Sequence, residues 1–243
     1  MPDRLTCTAI DGSQVVLQMP GAAVGAPASC MALARVGQRR LDLASGVTAH
    51  GARRAAAVGV TLDEEYEYHG GRLRVGSRQA RTARGVLDRV RTAVWEGRRH
   101  CLSFHLNGAA TTSDVLAVLD GLRVDETGGG ITVREASGDP LWFVDGPSVL
   151  KPVKGTGILE VGPLTSRVAR WLPRWAGTRV LGGELFVTDP RGPRMHFMLV
   201  AGTAFASLVP LRGADPDAIA DRLASTRVAW DASSGAVDSG ASR

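Results

Sequence analysis

The sequence predicts an α+β fold made of two similar modules, each a twisted, mainly antiparallel sheet with helices packed on it. Two observations predict it. The stretch LNGAATTSDVLAVLDGLRV at 106–124 and the stretch LRGADPDAIADRLASTRV at 211–228 share one plan. Both open on Leu-x-Gly-Ala, pass a helix-start signal, run as an amphipathic helix and close on Arg-Val, as a module used twice would. Around them, short apolar runs alternate with turns centred on Gly, Pro and Asp, the pattern of paired strands. With 243 residues, 44% of them hydrophobic, the chain has material for one large domain or two small ones.

Taken in order, RLTCTAIDGSQVVLQMP reads as a hairpin about Asp11-Gly12, and residues 20–30 as a loop. CMALARVGQRRLDLASG, 30–46, reads as a short helix, and residues 53–76 as strand-like pieces turning at Gly70-Gly71. Residues 78–95 make the clearest predicted helix. Ala83, Val86, Leu87, Val90 and Val94 recur at steps of three and four, with Arg78, Arg81, Arg84, Arg89 and Arg91 on the other side and Gly97 as the stop. Residues 99–109 read as a strand. The helix that follows has Thr112 or Ser113 as N-cap, Asp114 in its first turn, and Val115, Leu116, Leu119 and Leu122 as the buried stripe. ETGGG at 126–130 reads as a linker. Beyond it come a strand, a turn at Gly138-Asp139-Pro140 and a second strand, then a loop and a strand over 148–164. A helix over 165–177 has Ser166 as N-cap. Three strands fill 178–211, turning at 189–193 and near 201–203. Asp215-Pro216 opens the last helix, with Ile219 and Leu223 as its apolar stripe. The modules are then 1–125 and 131–231, and 232–243 reads as a disordered tail.

The strings WEGRRHCLSFHLNGAATTSDVLAVLDGLRV (95–124) and MHFMLVAGTAFASLVPLRGADPDAIADRLASTRVAW (195–230) resemble the C-terminal end of PsbP-like α/β/α sandwich domains. In those domains a hairpin turn leads into a strand and then a capped helix. The resemblance covers one end of each module. It implies a binding module, with no catalytic residues to carry over.

The formal net charge is +5, and arginine supplies almost all the positive charge; the only lysines are Lys151 and Lys154. Guanidinium groups suit carboxylates and phosphates, though a charge bias bears on partners and solubility rather than on fold. Cys7, Cys30 and Cys101 are odd in number and lack C-x-x-C spacing, which favours neither a disulfide framework nor a zinc site. The N-terminus lacks the secretory pattern, and no apolar run approaches the length of a membrane span. These features predict a cytoplasmic protein.

His50, His69, His100, His105 and His196 are scattered, and KPVKGTG at 151–157 lacks the phosphate-loop order. Neither G-x-S-x-G nor H-E-x-x-H occurs. The expectation is therefore no catalytic residue, no metal and no cofactor. LDEEYEY at 62–68 reads as a solvated edge strand, or as the acidic counterpart of an arginine-rich face. The candidate partner-binding residues are Arg78, Arg81, Arg84, Arg89 and Arg91, together with Trp171, Arg174 and Trp175 of SRVARWLPRW. Tryptophans beside arginines match the composition of interface hot spots. The expected function is a non-enzymatic protein-binding adaptor or chaperone-like module. One alternative is an enzyme or small-ligand binder with a pocket between the two halves, with His196, Asp145 and Glu160 as first candidates. The other is a nucleic-acid-associated protein acting through a basic helix at 78–99.

Overall fold

The computed structural model describes residues 3–21, 28–81, 87–136, 140–189 and 195–232. Among these, the elements in chain order are β1 (Asp3–Thr8), β2 (Gln14–Met19), β3 (Ser29–Val36), β4 (Arg39–Val47), α1 (Thr48–Ala57), β5 (Leu62–Tyr68), β6 (Gly71–Arg81), β7 (Leu87–Glu96), β8 (His100–Asn107), α2 (Thr112–Asp120), β9 (Leu122–Thr127), β10 (Gly130–Glu135) and β11 (Leu141–Phe143). They continue with β12 (Ser148–Val153), β13 (Gly157–Pro163), α3 (Ser166–Trp171), β14 (Thr178–Val180), β15 (Gly183–Thr188), β16 (His196–Val200), β17 (Ala204–Pro210), α4 (Pro216–Ala224) and β18 (Arg227–Asp231).

Two compact units divide the chain. A central unit holds residues 29–145, and a terminal unit holds 1–28 with 146–243. Within the central unit the strands pair antiparallel in the order β11-β3-β4-β8-β7-β6-β5. Within the terminal unit the order is β12-β13-β17-β16-β15-β14, again antiparallel. The two share one succession. A hairpin is followed by a short helix; four strands then return onto the hairpin's second strand; a helix and a further strand come next, and in the central unit β10 and β11 follow these. That further strand leaves the main row for a small second sheet: β9 pairs β10, and β18 pairs β2, which pairs β1.

This is a mostly β architecture, which corrects the α+β expectation. The four helices span only 10, 9, 6 and 9 residues. The largest correction is at 78–95, where β6 and β7 replace the expected helix. A step of four is also an even step, so Val90 and Val94 fit a strand face as well as a helix face, while Ala83 and Val86 lie outside the described residues. β-branched Val90, Thr92 and Val94 favour the strand. Arg91 to Glu96 are buried without interruption, because β7 lies inside the sheet with both faces covered. Residues 30–46 form the hairpin β3–β4 rather than a helix: Cys30, Ala32, Ala34 and Val36 are buried in alternation, and Gly37 takes φ 55° at the turn. Residues 126–130, expected as a linker, end β9 and begin β10 around a tight turn inside the central unit. The first hairpin was expected in the same module as residues up to 125. It belongs instead to the terminal unit, because β2 takes β18 as its neighbour. The stretch 148–164, expected as a loop and then a strand, forms two strands, β12 and β13, and four strands rather than three fill 178–211. The turns expected at 138–140 and 189–193, Arg84 and the tail from 233 lie wholly or partly outside the described residues.

Other expectations match. The hairpin about Asp11-Gly12 forms β1–β2, with Gly12 at φ 91°. Asp215 caps α4 with Pro216 at its first position, and Ile219 and Leu223 are buried. α2 is capped by Thr111, one residue earlier than expected. Its side chain and that of Asp114 exchange hydrogen bonds with each other's backbone N–H.

Period-two burial builds each core. In the central unit Leu41, Leu43, Leu73, Val75, Ala93 and Phe104 are fully shielded. In the terminal unit Leu159, Val161, Phe197, Leu199, Ala206 and Leu208 share the interior with Val15, Leu17 and Trp230 of the small sheet. On the other face of the central unit, α1 packs against β4, β7 and β8. It sits so close that a Cβ on Gly51 would lie 2.3 Å from Val94 Cγ1 and 3.1 Å from Cys101 Sγ. An open helical position gains up to about 1 kcal/mol from Gly→Ala. Here overpacking reverses the sign, and Gly51→Ala should lower stability by about 1–3 kcal/mol in urea titrations followed by circular dichroism. A gain in stability would place α1 away from β7.

Candidate functional site

The side of the central unit's sheet that carries α1 is only partly covered by it. Beyond the C-terminal end of α1 lies a cavity of about 330 Å³. Strand register explains its lining. Asn107 lies opposite Val90, and Val90 opposite Arg78, so three adjacent strands present these residues in one row. Two positions along, Thr92 lies opposite His105, and the two side chains are joined at 2.8 Å through Oγ1 and Nδ1. Arg40 and Asp42 of β4, Leu33 of β3 and Val58 just after α1 complete the lining.

The electrostatics are unequal. Asp42 is held by Arg54 of α1 at 3.0 Å. Among the described residues Arg40 and Arg78 have no carboxylate within ion-pair distance. Arg54 Nη1 is shielded from solvent and has no hydrogen-bond partner among the described residues. Burial, then the charge of Arg54, hold the His105 imidazole below its usual range and oppose the charged form. The cavity is thus cationic, with a neutral histidine at one side and Leu33, Val58 and Val90 as apolar wall.

Only Arg78 of the expected arginines reaches this place. Arg81 ends β6, Arg84 is outside the described residues, and Arg89 stands exposed on β7. Arg91 faces the opposite side of the sheet and is buried. Its Nη1 donates to Glu64 Oε1 at 3.1 Å and to Thr112 Oγ1 at 2.5 Å, tying β5, β7 and the first turn of α2 together. Thr112 in turn donates to Glu64 Oε2 at 2.6 Å, and that bond, with one from Tyr66, holds the Glu64 carboxyl below its usual range. The basic helix on which a nucleic-acid reading rested is therefore absent, and Arg91 is structural. The acidic stretch 62–68 is the edge strand β5. It pairs within the chain through Arg72, Arg74 and Arg91. A larger concavity of about 570 Å³ follows the β5–β6 hairpin, but consecutive residues 65–72 of that single hairpin line it. Among the described residues no cluster of His, Cys, Asp or Glu is placed to hold a metal ion.

The equivalent place on the terminal unit is chemically different. Ile158 lies opposite Val209, and Glu160 opposite Ser207. Ile158 and Val209 are 51% and 58% exposed. His196 Nε2 and Ser207 Oγ are 2.5 Å apart, and burial keeps that imidazole neutral. Glu160 shares this face but, among the described residues, makes no hydrogen bond to His196, and Asp145 belongs to the other unit. α3 buries none of its residues. Pro173 stops it, so Trp171 ends the helix while Arg174 and Trp175 follow it. All three are exposed, the tryptophans at 74% and 58%. Thr165, not Ser166, is its N-cap, accepting from Val168 N at 3.2 Å.

The sequence reading missed Arg40, Asp42, Asn107 and the paired role of His105. Their signal was present as polar residues two apart: Arg40 with Asp42, and His105 with Asn107, each pair on one strand face.

No protein family, no curated protein and no solved structure matches the chain.

One further group with chemistry is Lys151, fully buried inside the terminal unit opposite Leu159 on β13. No carboxylate pairs with it among the described residues. Burial pushes its amine below the usual lysine range, and the same burial pushes the neighbouring Cys7 thiol up to about 11. Only a lysine can meet such a place by shedding its proton; arginine cannot. The unfolded chain holds this proton up to about pH 10.4 and the folded chain loses it earlier, so stability from this group rises with pH across that window. Lys151→Met should raise the melting temperature at neutral pH by several degrees, roughly the effect of replacing a buried charge with an apolar isostere. The gap to the wild type should close as the pH approaches about 10.4. A variant less stable than wild type at every pH would mean that Lys151 has an ionic partner.

Proposed function

We propose that the chain is a non-enzymatic protein-binding module of adaptor type, and that the terminal unit carries its docking surface. The supporting observation is the concentration of exposed large apolar side chains there: Trp171, Trp175, Leu181, Ile158, Val209 and Leu211. Isolated exposed apolar residues are ordinary, but here Ile158 and Val209 stand opposite each other on one sheet face, and Trp171 and Trp175 lie at and just past the end of α3. Arg170, Arg174 and Arg179 stand exposed among them in sequence. That mixture fits a partner segment of apolar residues flanked by Asp or Glu. The tryptophans would supply affinity, and the arginines orientation and encounter rate.

Photo-crosslinking from positions 171 and 175 should capture one protein species, absent when the crosslinker stands at exposed Arg98. With that species purified, the double change Trp171→Ala and Trp175→Ala should weaken binding by about 2 kcal/mol or more, the scale of a hot spot. The melting temperature should stay put, because both rings are already in solvent. Undiminished affinity in the double variant would refute the surface. Crosslinks only to a second copy of this chain would replace a foreign partner with self-association.

A further inference from the structure

We propose that the cationic cavity of the central unit binds a small organic acid: a carboxylate or phosphate group on a short hydrocarbon body. The groups that would hold it come from separate elements, Arg40 from β4, Asn107 from β8 and Arg78 from β6. Asn107 and Arg78 are each one strand away from Val90, so their backbones stand about 10 Å apart on one face. Arg40 lines the same cavity from β4, on the far side of Asn107, so the two guanidinium groups approach it from both sides.

Charge decides the sign of the ligand. Arg54 already engages Asp42, whereas Arg40 and Arg78 bring two positive charges with no carboxylate at ion-pair distance among the described residues. The planar donors of a guanidinium group match the two oxygens of a carboxylate or phosphate. Asn107 can donate or accept beside them. Leu33, Val58 and Val90 give the anion's carbon chain a place out of water, which separates an organic acid from a bare ion. At about 330 Å³ the cavity falls at the small end of ligand pockets. This site stands on the central unit alone and is independent of the docking surface proposed for the terminal unit.

The test is isothermal titration calorimetry of the full chain with three probes: succinate, glycerol 3-phosphate and inorganic phosphate. At least one organic probe should bind saturably at one per chain, and more tightly than inorganic phosphate. Arg40→Gln and Arg78→Gln should each weaken that binding about tenfold, and Arg179→Gln, on the other unit, should leave it unchanged. Arg40→Lys, which keeps the charge but not the planar fork, should lose less than Arg40→Gln. Both cavity arginines are exposed, so thermal melting should confirm that the variants fold. A preference for succinate would assign a carboxylate site, and a preference for glycerol 3-phosphate a phosphate site. No saturable binding by either organic probe, or binding indifferent to both Gln variants, would overturn the proposal. Equal affinity for inorganic phosphate would overturn its organic part.

Discussion

An antiparallel sheet has two faces, and each must be covered or made wettable. Both units of this chain meet that constraint in the same way, up to a point. One face of each row of strands is closed by apolar residues such as Phe104 and Leu73, or Phe197 and Leu159. In the terminal unit the small sheet supplies the cover, with β18 packed on β13 and β17. The other face receives one short helix. α1 has ten residues and beds Gly51 and Ala55 against the sheet. α3 has six and beds none. What remains open beyond the helix is where each unit carries its exposed chemistry. On the central unit the strands β4, β8 and β7 present Arg40, Asn107 and Val90. On the terminal unit the equivalent β13, β17 and β16 present Ile158, Val209 and His196. One topology thus offers a polar cavity in one copy of the plan and an apolar strip in the other.

The arginine bias looks different once each side chain has a place. Arg54, Arg72, Arg74 and Arg91 are spent on carboxylates inside the central unit. Buried Glu96 holds two of them, and Arg91 locks Glu64 and Thr112 into one network. These pairs hold strands in register more than they make a charged surface. The net positive charge left over is local, at places such as Arg40 and Arg78, and it is there that a ligand's sign is set.

Local signals were legible in the sequence where the chain makes its own decisions. Asp11-Gly12 turned the first hairpin, and Asp215-Pro216 started α4. The recurring Leu-x-Gly-Ala to Arg-Val stretch marks the same passage in both units, from the last strand of the row through a helix into the small sheet. What the sequence hid was set by neighbours far along the chain. The strand β7 is a strand because β6 and β8 flank it, and its covered faces erase the alternation that would have revealed it. The first hairpin joins the terminal unit because β18, more than two hundred residues later, supplies its partner edge. The cavity was hidden for the same reason: its residues lie two apart on separate strands, and only the register brings them together.

The core of the central unit, its cavity and the fate of its arginines all follow from the strand row β4-β8-β7-β6. Its most direct test is nuclear Overhauser spectroscopy on isotope-labelled protein across residues 87–107. The row predicts cross-strand contacts from Val90 to both Asn107 and Arg78, and from Thr92 to both His105 and Gly76. Sequential amide-to-amide contacts running without break through 87–95, with no cross-strand partners, would mean a helix there and would contradict the account at its base.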